Sequence, residues 1–133
     1  MIYCLDADTC IFALRDRHPA LKERFRKMSF DRIKIPSMVQ AELVLGALKS
    51  FQPKEASLRV DTFLQPFEII SFGSAEAVVY AHLKADLERK GSLIGPNDLI
   101  IAATAMAHHA TLVTHNTKEF SRVSGLLVED WTE

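Results

Sequence analysis

No stretch of this 133-residue chain is apolar for long enough to cross a bilayer. A spanning helix takes roughly 20 apolar residues, and the longest run, Leu99 to Ala107, is about half of that. The N-terminus lacks a basic region followed by an apolar core, so export is not expected and a cytoplasmic location is. There are two cysteines, Cys4 and Cys10. Their spacing fits no zinc or redox motif, and both sit among apolar residues, so they read as small buried hydrophobes of a reducing compartment. Internal repeats, low-complexity tracts and long linkers are also missing, so one domain over residues 1–133 is expected. No P-loop or dinucleotide-binding glycine fingerprint occurs, which excludes nucleotide binding of those kinds.

What is present is the composition of a globular protein, 48% hydrophobic and 25% charged, long enough for a real core. The net charge of −1 conceals an uneven distribution. Between residues 15 and 34 lie eight bases (Arg15, Arg17, Lys22, Arg24, Arg26, Lys27, Arg32, Lys34) against three acids (Asp16, Glu23, Asp31). Such a patch suits a phosphate backbone. It equally suits a solvated helix face, and the charge run alone does not choose.

Short apolar runs alternate with helical patterns, which predicts an α/β fold: a mainly parallel central sheet of four to five short strands, flanked by helices. The strands are expected at Ile2–Leu5, Ile33–Ile35, Glu68–Phe72, Leu112–Thr114 and Leu126–Val128. Helices are expected at about Thr9–Arg15, from Pro19 with the stripe Leu21, Phe25, Met28, and from Ser37 to about Lys49. Ser37 reads as an N-cap, with Gln40 completing a capping box. Gly46 would allow close approach of a backbone or a bulky ligand. Pro53 opens a helix with Ala56, Val60, Phe63 and Leu64 inside; Ser74 caps another, which stops at Gly91. The most apolar helix, about Pro96–His109, should be central.

Three acids border or interrupt apolar runs: Asp6 after Ile2–Leu5, Glu42 within Met38–Leu45, and Asp98 before Leu99–Ala107. An ionised carboxylate against a core is costly unless compensated. Separately, each has a plain reading: Asp6 as a helix cap, Asp98 as a favourable first-turn acid, Glu42 in an ion pair with an arginine. Jointly they point elsewhere. In open α/β sheets ligands bind beyond the carboxyl ends of the strands, where Asp6 and Asn116 are expected. A shared divalent cation at that rim would neutralise the acids and do chemistry. Mg²⁺, or Mn²⁺, suits an all-oxygen site.

These residues carry a resemblance. Leu5-Asp6-Ala7-Asp8-Thr9, Ser37–Leu43, Gly95–Ala103 and Leu112–Phe120 resemble the four motif blocks of PIN-domain ribonucleases, and more narrowly the VapC-type toxins of bacterial type II toxin–antitoxin pairs. The likeness runs essentially end to end. It implies a Mg²⁺-dependent endoribonuclease that cuts RNA, often tRNA, and halts translation. It also implies a homodimer neutralised by a small VapB-like antitoxin whose C-terminal segment covers the active site. Asp6, Glu42 and Asp98 stand on the family's three best-defined acids, Asp6 and Asp98 as metal ligands and Glu42 as the group that holds a water or deprotonates the nucleophile. Two positions depart from the pattern. Ala7 and Asp8 replace the usual Thr-Asn, with Asp8 either adding charge or, the preferred reading, capping the helix. Asn116 stands where many relatives have a fourth acid; Glu119 lies near enough to supply that charge, although an exposed helix acid is the simpler role. These departures bear on a second cation, not on the first.

Of the histidines, His108 and His109 point about 100° apart on a helix and make a poor chelate, whereas His115 follows a strand at the rim that Thr114 ends. Trp131 fits tail packing better than base stacking. Two alternatives stay open on sequence alone: a haloacid-dehalogenase-like phosphotransferase with Asp6 as nucleophile, and a non-catalytic receiver-like or regulatory module.

Overall fold

Apolar residues form the strands because both faces of the sheet are covered. In the computed structural model, which describes residues 1–133, Cys4, Leu5, Ile33, Ile35, Leu112 and Val113 are fully buried. The elements follow as β1 (Tyr3–Leu5), α1 (Ala7–Arg15), α2 (Pro19–Lys27), a 3-10 turn (Phe30–Arg32), β2 (Ile33–Pro36), α3 (Ser37–Leu48), α4 (Pro53–Leu64), β3 (Glu68–Ile70), α5 (Ser74–Lys90), α6 (Pro96–Ala107), β4 (Thr111–Val113), α7 (Thr117–Phe120) and β5 (Val128–Glu129). The sheet is five-stranded and wholly parallel, in the order β3-β2-β1-β4-β5. Its strand order reverses between β1 and β4, which is the crevice where open sheets bind ligands. Tyr3, Cys4 and Leu5 pair there with Thr111, Leu112 and Val113.

The expected helices and strands all form, with boundary shifts that have local causes. β3 stops at Ile70 rather than Phe72, because its partner β2 ends at Pro36 and the chain turns into α3. β5 starts two residues later than expected, where Thr114 N–H donates to Glu129 O at 2.9 Å. Ser37 and Ser74 are not caps. Each is the first helical residue, and Pro36 and Gly73 occupy the cap positions. At α5 the cap function passes to Glu76, whose Oε1 accepts from Gly73 N–H at 2.8 Å. Gly46 is not a point of close approach either, since a Cβ there would meet nothing within 4 Å. Gly91 ends α5 in the left-handed conformation at φ 66°, as a C-terminal glycine should.

The helix α6 is central, with Leu99, Ile101, Ala102, Ala103, Thr104 and Ala105 buried. No helix is long and apolar enough to cross a membrane. Trp131 closes the far side of the core at 1% exposure. Its ring lies edge-on to Tyr3 at 5.2 Å and Phe25 at 5.9 Å, its Nε1 donates to Glu129 Oε1 at 2.9 Å, and Arg24 covers one face. Trp131→Ala is expected to cost about 3–5 kcal/mol by the cavity it leaves, measured as a lowered urea midpoint; a loss below about 1 kcal/mol would show that the tail is not part of the core.

Candidate active site

Two strand ends and two helix starts place the acids. β1 ends at Leu5, and Asp6 is next; its N–H donates to Val113 O at 3.1 Å, so it is still held to β4. Its side chain caps α1, with Oδ1 accepting from Thr9 N–H at 2.9 Å. The plain capping role is therefore real, but it engages one carboxylate oxygen of a residue only 4% exposed. Burial raises the Asp6 pKa, the Thr114 hydroxyl and the Thr9 amide offset part of this, and neighbouring Asp8 adds to it. The Thr9 hydroxyl proton goes to Val113 O at 3.2 Å. Thr114, the buried residue after β4, also accepts from Asn116 N–H at 2.9 Å, so one hydroxyl ties the β4 rim to Asp6.

Asp98 lies in the first turn of α6. Its pKa is pushed up to about 6, by burial first and then by the charges of Glu119, Glu42 and Asp6. Glu119, Glu42 and Asp6 therefore all lie near enough for their charge to act on Asp98. Glu119 is the nearest, close enough to hydrogen-bond Asp98 when one of the two is protonated. It is fixed there by Gly95 N–H at 3.0 Å and by the Asn116 amide. A Cβ at Gly95 would lie 3.5 Å from Asp98 Oδ2 and 3.9 Å from Glu119 Oε1, so both carboxylates sit over the α6 entry. Glu119 is thus a half-buried member of the site rather than an exposed helix acid.

Glu42, on α3, completes the group. Burial raises its pKa, an Asn97 hydrogen bond lowers it, and Asp8 and Asp6 raise it again. Its Oε1 is sealed from solvent without a hydrogen-bond partner. Asp8 is exposed in the first turn of α1 and adds charge here; the cap it was expected to provide is Asp6. Asn97 and Thr9 were missed by sequence reasoning. The only signals were adjacency to Asp98 for one and the three-residue capping interval from Asp6 for the other.

No lysine or arginine neutralises these acids. The protein's ion pairs involve other carboxylates, and the arginine partner considered for Glu42 is absent. An unbonded buried carboxylate oxygen and an Asp98 whose pKa is raised by burial and by like charges are what a hard cation relieves. No three His, Cys, Asp or Glu side chains close into a ready cage. A cation at this rim would be held by one or two of the carboxylates and would keep several waters. The histidines stand apart: His108 pairs with Glu76 at 3.1 Å, and His115 Nδ1 with Asp130 at 2.9 Å.

The PIN-domain family model matches residues 3–126. The chain is 39% identical over 132 residues to a ribonuclease VapC2 of Rickettsia felis, covering 98% of each chain. It is 34% identical over 129 residues to a tRNA(fMet)-specific endonuclease VapC of Salmonella typhimurium, covering 97% of each. Its fold superposes with a TM-score of 0.93 on a chain in the crystal structure of DNA-bound VapBC from Salmonella typhimurium, at 34% identity and 98% coverage of both chains.

The raised pKa of Asp98 has a thermodynamic consequence. Between the unfolded aspartate value of about 3.9 and the folded value of about 6, the folded protein holds a proton that the unfolded chain has released, so stability falls as pH rises through that window. Metal-free protein should therefore have a higher urea midpoint at pH 5 than at pH 7. Asp98→Asn should flatten this dependence and stabilise metal-free protein at pH 7 by about 1 kcal/mol, a figure discounted for solvent screening. Saturating Mg²⁺ should remove the wild-type deficit at pH 7. A destabilising Asp98→Asn would mean that the carboxylate is satisfied without a cation.

Proposed function

Since the chain belongs to the PIN-domain family and its relatives at 30% identity and above are VapC ribonucleases, we propose that it is a divalent-metal-dependent endoribonuclease toxin of a VapBC-type pair. The reading rests above all on one observation: buried and half-buried carboxylates gather at the sheet's switch point with no basic side chain to offset them. The protein is an enzyme that acts on RNA, and a VapB-like antitoxin is its partner. Residues 1–133 then form one nuclease domain, working in the cytoplasm as a homodimer.

Asp6 and Asp98 would hold the cation, Mg²⁺ or Mn²⁺. When bound, it supplies positive charge at the scissile phosphate and makes water acidic enough to attack at neutral pH. The chain's own groups prepare that attack. Thr9 and Thr114 fix the Asp6 carboxylate so that little motion is needed on binding. Glu42 would take a proton from the attacking water, a role its raised pKa suits. Glu119, steered by Asn116 and Gly95, supplies the fourth charge that Asn116 cannot. The phosphotransferase alternative gives way to the PIN-domain match over residues 3–126.

The finer substrate reading is tRNA, the specificity printed for the Salmonella relative. Purified protein, freed of antitoxin, should cut a tRNA pool in the presence of Mg²⁺ or Mn²⁺ and stop when EDTA is added. Asp6→Asn, Glu42→Gln and Asp98→Asn should each lower kcat by about 10² or more, the scale of a lost catalytic charge or base. Cutting that survives EDTA, or wild-type-like cutting by Asp98→Asn, would refute the metal reading.

A further inference from the structure

The basic stretch seen in the sequence is divided by the fold into neutralised and free cations. Lys22 pairs with Asp16, Arg24 with Glu129, Arg26 and Lys27 with Glu23, and Lys34 with Glu68. Arg15, Arg17 and Arg32 have no such partner. Two of these three, Arg15 at the end of α1 and Arg17 just beyond it, line one groove of about 490 Å³ between α1, α3 and α4. Arg59 of α4, also unpaired, lines the same groove. All three side chains are exposed, and none makes a side-chain hydrogen bond within the protein.

The groove includes Glu42 of the acidic site in its lining. Its remaining surface is largely apolar, with Ile11, Leu14 and Val60 among the residues that line it, and Gly46 presents no side chain there. A wall of free guanidinium groups over an apolar floor fits a chain that carries phosphates on one edge and sugars and bases on the other. A second cleft, of about 320 Å³ and lined by Phe12, Phe25 and Phe63, offers no comparable set: its one lysine, Lys22, is paired with Asp16.

We propose that the α1/α3/α4 groove is the track for the RNA strand flanking the cut, with Arg15, Arg17 and Arg59 contacting its phosphates while Glu42 marks the end at the acidic site. The proposal rests on the ribonuclease reading. Arginine suits this role because its planar fork matches phosphate oxygens and its charge does not titrate.

The test uses binding as well as cutting, so that the two readings can fail separately. Full-length Asp98→Asn protein, free of antitoxin, is titrated with a fluorescently labelled tRNA pool, alone and combined with Arg15→Gln, Arg17→Gln and Arg59→Gln. Each single change is expected to weaken binding several-fold. The triple change should weaken it at least about tenfold and make log K against log salt shallower by about 2, near 0.7 per phosphate contact on a single strand. In otherwise wild-type protein the triple change should raise KM by more than it lowers kcat. The Arg→Lys triple variant should recover part of the affinity, and Arg89→Gln, which removes the same single charge as each single variant but outside the groove, should leave it unchanged. Gln keeps helix propensity close to that of Arg, and a matching urea midpoint confirms folding; the single variants carry the test if the triple does not fold. Unchanged RNA affinity in the three single variants would overturn the proposal. So would unchanged RNA affinity with loss of antitoxin neutralisation, which would assign the groove to the protein partner. Tight RNA binding that depends on the arginines, without any cutting by wild-type protein, would refute the nuclease reading and leave the groove standing.

Discussion

The carboxylates at the switch point repel one another, and the protein supplies no cation of its own to offset them. The rest of the architecture manages this conflict without removing it. Asp6 sits at the N-cap of α1 and Asp98 in the first turn of α6, so two helix N-termini aim their partial positive charge at the group. Two backbone amides, those of Thr9 and Gly95, donate to these carboxylates rather than to carbonyls. The stabilisation is incomplete, because Asp98 still lies near 6 and Glu42 Oε1 still has no partner. A site left in that condition favours whatever positive charge arrives.

Rigidity is what keeps the acids from relaxing apart. β1 is paired on both sides, to β2 and β4, and Asp6 follows it with no intervening residue. Helix α6, buried along much of its length, fixes Asp98 by packing that an exposed loop could not provide. Loop positions enter only where side chains restrain them: Arg122 Nη1 donates to Leu93 O at 3.1 Å, and Glu119 accepts from Gly95, so the turn before α6 is fastened to the segment around α7. Displacing one acid thus means breaking strand or helix packing. Preorganised charge of this kind needs little rearrangement when a ligand arrives.

The same contrast explains what the sequence could reveal. Asp6, Glu42 and Asp98 stood out because each adjoins apolar neighbours, and an acid in such a place calls for compensation. Glu119 and Asn97 lie in polar stretches, where an acid or an amide is ordinary, so only the fold brings them to the site. Strand and helix order was legible from periodicity, including the central place of α6. Caps were legible only in part. Ser37 and Ser74 have the right chemistry but fall one residue inside their helices, because Pro36 still belongs to β2 and because Glu76 can satisfy Gly73 N–H directly. Asp8 and Asp6 compete for one cap, and the residue nearer the strand end took it.

Charge near a site and charge in a site are different quantities, and a linear count of bases conflates them. At physiological salt, fields between exposed groups fade over about 8 Å, so a base neutralised on its own helix does little for an anion elsewhere. Arg26 and Lys27 are of this kind, both held by Glu23. Arg15 and Arg17 lie about ten residues away in sequence but have no ion-pair partner, and Arg59 joins them from a helix just over forty residues further on. A polyanionic substrate approaching a cluster of acids meets repulsion that a single bound cation offsets only locally. On the proposed reading, free guanidinium groups along the adjoining groove supply attraction over the rest of the approach. Opposite charges held in neighbouring compartments, rather than paired with each other, are therefore what this fold maintains: Arg15, Arg17 and Arg59 line the same groove as Glu42, yet no ion pair joins them to it.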